Sequence, residues 1–195
     1  METIHIDGTP RTDLGKKATR ALRRTGNIPC NIYGGAGNVN FFAAESSFRK
    51  LIYSPDYRLA AITINGQTRN CIVKEIQTHP VTDAIQHIDF QELVDNTPVR
   101  ISLPLRLTGT PKGQAMGGKL EQTLRSLVVS CLPKHLVSVI EVDVTEMDMG
   151  SIKRVRDIQV DGIQIITAAA MPIAKMPVPR AAKEASAEAA KAEKK

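Results

Sequence analysis

The sequence predicts a mainly β chain built as two domains followed by a disordered tail. Three observations predict it. Apolar residues fall in short runs bounded by Gly, Pro or Asn, as strands do. Asn65-Gly66 separates two such runs and supplies the two positive-φ positions that a tight hairpin needs. The pattern restarts after Asp95-Asn96-Thr97-Pro98, and from Arg180 onward it collapses into Ala, Lys and Glu with one Ser. These breaks predict domains at 1–96 and 97–179 and a tail at 180–195 that has no apolar face to bury.

Strands are expected at Thr3–Asp7, Ile28–Tyr33, Val39–Ala43, Leu59–Asn65 and Thr68–Gln77. Two helices interrupt them. Lys16–Arg24 is closed by Gly26, and Ser46–Tyr53 stops ahead of Pro55, because the residue before a proline avoids helical backbone. In the second half Val99–Leu107 alternates as a half-buried strand, with Pro104 marking it as an edge. Thr108–Lys119 is Gly-rich and reads as a loop, followed by strands at Leu124–Leu132, Val137–Val144 and Ile163–Ala168. With no tryptophan and 4% aromatics, the cores are expected to be Ile, Leu, Val and Ala.

The net charge of +6 points weakly to a polyanionic partner, and its distribution says more. Residues 1–96 carry eleven Lys/Arg against ten Asp/Glu, yet six of those cations fall between Pro10 and Gly26 beside one acid, Asp13. Charge concentrated in so short a stretch suggests a site rather than a generally sticky surface. Three widely spaced cysteines, with no Cys-x-x-Cys pair, argue against a disulfide framework or zinc site and for a reducing compartment. No apolar run reaches the roughly 20 residues of a membrane span. No secretory leader is visible, so a cytoplasmic protein is expected.

Two places could carry chemistry. On the first helix Lys16, Thr19, Arg20 and Arg23 are spaced i, i+3, i+4, i+7 and share one face, while Ala18, Ala21 and Leu22 can turn inward. Such a face suits phosphate oxygens and 2′-hydroxyls, or simply meets water. The second place is Gln77-Thr78-His79-Pro80 with Gln86-His87-Ile88-Asp89-Phe90. In a strand His87 and Asp89 project together, away from Ile88 and Phe90. His87 can donate to a phosphate and Asp89 can accept from base amino groups, or Asp89 merely orients His87. An enzyme would use the same groups, as a metal-dependent hydrolase with His79, His87 and Asp89. No His-Glu-x-x-His, Gly-x-Ser-x-Gly or phosphate-cradling loop supports it, so no catalytic residue, metal, cofactor or small-molecule substrate is expected.

These segments resemble the bacterial large-subunit ribosomal protein number twenty-five, in the longer two-domain form called the general stress protein CTC type. Arg11, Gly15–Arg24, Gly26–Gly34, Gln77–Pro80 and Gln86–Phe90 carry the resemblance, with Gly117–Leu120 and Val142–Val144 in the second half. It implies an N-terminal β-barrel that binds the loop E region of 5S rRNA, then a mainly β domain. It also implies a place at the central protuberance of the large ribosomal subunit, with neighbouring ribosomal proteins as further partners. A stress-linked RNA-binding factor acting off the ribosome would share the same site. Carried over by position, the RNA-binding residues are Arg11, Lys16, Thr19, Arg20, Arg23, Tyr33, Gln77, His87 and Asp89. Thr19 stands where serine is usual and keeps the hydroxyl. Ala21 stands where many members have arginine, and Cys30 replaces a small apolar residue.

Overall fold

The computed structural model describes residues 1–35, 37–115 and 117–177, so the expected tail lies outside the described residues. The chain divides into two compact units, Met1–Ile101 with Ser130–Ser138, and the described parts of Ser102–Val129 and Val139–Lys195.

The first unit is a closed six-stranded barrel. Its strands are β1 (Thr3–Pro10), β2 (Asn27–Tyr33), β3 (Val39–Ala44), β4 (Leu59–Ile64), β5 (Gln67–Thr78) and β6 (Ile85–Glu92). Their order around the wall is β1-β3-β2-β6-β5-β4. Two seams are parallel and join distant parts of the chain, β1 with β4 (Thr3 opposite Leu59) and β2 with β6 (Cys30 opposite Ile88). The other seams are antiparallel. The hairpin at Asn65-Gly66 forms as expected, with φ of 51° and 79°.

Alternation puts Ile6, Ile28, Ile32, Ile62, Ile88 and Phe90 inside the barrel. The expectation of an all-aliphatic core is corrected here. Phe41 and Phe48 both meet Phe90, with ring centroids 5.9 and 6.1 Å apart. A barrel interior lined by short Ala and Cys side chains leaves space that rings fill efficiently. Helix α2 (Glu45–Ile52) supplies one of these rings, burying Phe48 and Leu51. It starts one residue earlier than the sequence suggests.

Helix α1 (Lys16–Arg24) has the expected bounds and packs beside β2, but none of its residues is fully buried. Ala18 and Leu22 are half-buried, whereas Ala21 stays exposed, contrary to expectation. Nine residues make too narrow a contact stripe to include it. The helix ends as Gly26 turns at φ 75° and its N–H reaches Arg23 O at 3.2 Å.

The second unit holds two small sheets. One has the order β10-β7-β9-β12, with β7 (Val99–Thr108), β9 (Ser126–Cys131), β10 (Ile140–Asp143) and β12 (Ile163–Ile165). The other has the order β11-β13-β8, from β8 (Glu121–Gln122), β11 (Ile152–Arg154) and β13 (Pro172–Lys175). Leu103, Leu105, Leu127, Val129, Ile173 and Met176 are buried. Pro104 does not mark an edge, since β7 lies inside its sheet. Leu105 N donates to Arg125 O, so the Pro104 nitrogen points to the other side, where pairing with β10 begins only at Leu105. The missing N–H therefore breaks no ladder bond. The expected loop at Thr108–Lys119 contains a helical turn, α3 (Lys112–Ala115). Gly113 sits against Met176, where an added Cβ would lie 2.4 Å from the sulfur.

Candidate nucleic-acid interface

Strand register builds a polar row across the outside of the barrel. Asn40 in β3 lies opposite Asn31 in β2, Asn31 opposite Asp89 in β6, and Asp89 opposite Glu75 in β5. A register shift between Val73 and Glu75 sets this alignment, and it also brings Gln77 opposite His87. His87 and Asp89 share the outer face as expected, both half-buried, while Ile88 and Phe90 are fully buried. His87 Nδ1 stands 3.3 Å from Asp89 Oδ1. Tyr33 lies one step along β2, opposite Gln91. Its hydroxyl is pushed above the ordinary tyrosine value, first by burial and then by Asp89 and Glu75, so it stays protonated and able to donate.

The basic helix stands beside this row. Thr19 Oγ1 donates back to Gly15 O at 2.7 Å, which leaves its lone pairs rather than its proton for a partner. Arg23 Nε donates to Gln86 O at 2.9 Å and ties α1 to β6. Arg11 follows β1, where its backbone N–H reaches Asn40 O at 2.9 Å. Among the described residues no carboxylate lies within ion-pairing distance of Lys16, Lys17, Arg20 or Arg24. Arg58 and Arg69 on the same barrel each meet a glutamate at 3.0 Å. The helix thus concentrates cations that the fold leaves uncompensated.

The row also concentrates unmade hydrogen bonds. Among the described residues Arg11 Nε and Asn31 Oδ1 are shielded from water and make no hydrogen bond, and His87 Nδ1 has only its 3.3 Å approach to Asp89 Oδ1, which falls short of a well-formed hydrogen bond. Such atoms are rare in folded proteins and mark places where a partner is missing. Asn31, Asn40 and Glu75 were not among the expected site residues. The signal for Asn31 was present, since it is the polar residue in the middle of an apolar strand. Glu75 became legible only with the bulge in β5. Of the nine expected residues, Lys16, Thr19, Arg20 and Arg23 lie on α1, Tyr33, Gln77, His87 and Asp89 on β2, β5 and β6, and Arg11 just after β1. His79 does not join His87 and Asp89, because its Nδ1 accepts the Val81 and Thr82 amides at 3.2 and 3.3 Å. Among the described residues no three His, Cys, Asp or Glu side chains are arranged to hold a metal.

Comparison with known proteins places the chain in a family. The Ribosomal L25p family model matches residues 6–90, and the model for the C-terminal domain of ribosomal protein TL5 matches residues 98–180. A protein of Porphyromonas gingivalis called large ribosomal subunit protein bL25 is 39% identical over 170 residues, covering 86% of this chain and 88% of its own. Proteins of the same name from Phocaeicola vulgatus and Cytophaga hutchinsonii are 36% and 34% identical. Each match covers 98% of this chain and all of the relative. The two family models, matched in order over the barrel and the second β unit, define a two-domain ribosomal protein, a class that is structural rather than enzymatic. The chain belongs to the family of the large ribosomal subunit protein bL25. No helix among the described residues is long and apolar enough to cross a membrane.

Proposed function

We propose that this chain binds 5S ribosomal RNA at its loop E region, as part of the central protuberance of the large subunit of cytoplasmic ribosomes. The observation that carries the reading is the set of unpaired cations on α1 beside the polar row of β2, β6 and β5. Double-helical RNA presents a wide, shallow groove lined with 2′-hydroxyls, which a rigid barrel wall can approach. Lys16, Arg20 and Arg23 meet phosphates, joined by Arg11, whose guanidinium has an unmade bond. Thr19 accepts from a 2′-hydroxyl. Tyr33, Gln77 and His87 offer donors along the wall. Asp89 is out of place beside RNA unless base amino groups donate to it, and non-Watson–Crick pairs expose such groups. The domain carrying this activity is 1–96. Chemical footprinting of the purified protein on naked 5S rRNA tests the reading. Protection centred on loop E is expected, and uniform protection or none overturns it.

A further inference from the structure

The hairpin between β5 and β6 continues past Gln77 into a tip, His79–Ala84, that none of the foregoing uses. It is closed at both ends by backbone bonds, His79 N–H to Ala84 O at 2.9 Å and Asp83 N–H to His79 O at 3.0 Å. Inside the turn the His79 ring accepts two amides at Nδ1, from Val81 and Thr82. A ring nitrogen that accepts carries no proton, so the neutral ring must hold its proton on Nε2. No partner for Nε2 is present among the described residues. The same turn holds Val81 out into solvent with 83% of its surface exposed, next to an exposed Pro80. An apolar side chain held out by a rigid turn has its ordering entropy already spent, which favours contact with a partner.

We infer that this tip is a second RNA contact, in which His79 donates from Nε2 to a 2′-hydroxyl or phosphate oxygen and Val81 packs on ribose. The inference rests on the proposed RNA-binding function. The tip begins two residues beyond Gln77, itself opposite His87, so an RNA that meets Gln77 and His87 reaches the tip by extending along the strand direction. Ribose in the shallow groove offers both an apolar carbon face and a hydroxyl acceptor, matching the two groups presented.

The experiment uses the full chain and transcribed 5S rRNA, with affinity read at several salt concentrations. Val81→Ser and His79→Ala are each expected to weaken binding by about three- to tenfold, the size of one neutral contact. The slope against salt should stay at the wild-type value, because neither group releases counterions. His79→Asn keeps an oxygen that can accept the two amides. It should hold the turn, read as slow hydrogen exchange at Val81 and Thr82, yet bind as weakly as the alanine variant. Wild-type affinity for Val81→Ser and His79→Ala, with Arg20→Ala still weakened, overturns the tip contact alone. The same result with poor incorporation into large subunits assigns the tip to a neighbouring protein and equally overturns it. Absence of binding by the wild-type chain overturns both readings.

Discussion

Arg20 and Arg23 share a helix face, yet they differ in what the fold asks of them. Arg20 has no ion-pair partner among the described residues, while Arg23 holds β6 through Gln86 O. Arg20→Ala should therefore shrink the salt slope of RNA binding by roughly 0.7–0.9 and leave stability within about 0.5 kcal/mol. Arg23→Ala should shrink the slope similarly and also remove about 1 kcal/mol of stability. Paired melting and binding curves distinguish them, and equal melting temperatures would separate Arg23 from any anchoring role. Asp89→Asn is the complementary case. Asp89 faces Glu75 across the ladder, and like charges so placed repel. The variant should melt no lower than wild type, yet lose about 1–3 kcal/mol of binding because a donor replaces the acceptor. Tighter binding by the Asn variant would mean that Asp89 only repels phosphate.

Elements were legible where their signal is local. Helix α1 and the Asn65-Gly66 hairpin lie where periodicity and turn chemistry put them. The strands β8, β11 and β13 were missed because two to four residues carry no readable period, and their pairing comes from distant chain. The site was legible as residue types on two segments, since α1 and the His87–Asp89 strand show in sequence. The Asn40–Asn31–Asp89–Glu75 row is a property of register, and its last step follows from the bulge in β5. Strand β1 depends instead on a close approach that its sequence does not announce. Gly8 lies under Phe41, and a Cβ there would approach the ring to 2.6 Å. Gly8→Ala should cost about 1–3 kcal/mol through overpacking, measured by denaturant titration. The buried thiols give the barrel a pH response. Burial pushes Cys71 up to about 12 and raises Cys30 further. An unfolded thiol ionises near ~8.5, so the unfolded state loses its proton first as pH rises. Stability from these thiols is full below ~8.5 and is lost on the way to the folded value. Urea melts should show this alkaline decline, flattened in Cys71→Ala.

All six barrel strands end by Glu92, so the segment 1–96 should fold alone and retain RNA binding. Among the described residues it would lack three bonds to the rest of its own unit, Tyr57 N–H to Ser138 O (3.0 Å), Thr97 N–H to Val94 O (3.2 Å) and Lys74 Nζ to Arg100 O (2.7 Å). Each is worth about 1 kcal/mol or less, so melting should fall by roughly 4–8 °C per kcal/mol lost. A fragment that does not fold would show the barrel to depend on residues beyond 96. The two parallel seams govern how the molecule comes into being. Tyr33 waits for Gln91, and Thr3 waits for Leu59, so neither seam can form until the later strand has been synthesised. Pairing across such separations is slow, in the millisecond-to-second range of barrels. It also means that Asn31 and Asp89 do not share a surface in any shorter chain. Under the proposed function, a nascent chain displays its basic segment early, as charge without shape, because a helix of nine residues does not hold in water unpacked. The row from Asn31 to Asp89 is assembled only when β6 docks beside β2, so under the proposed function selective recognition waits for the last strand of the barrel.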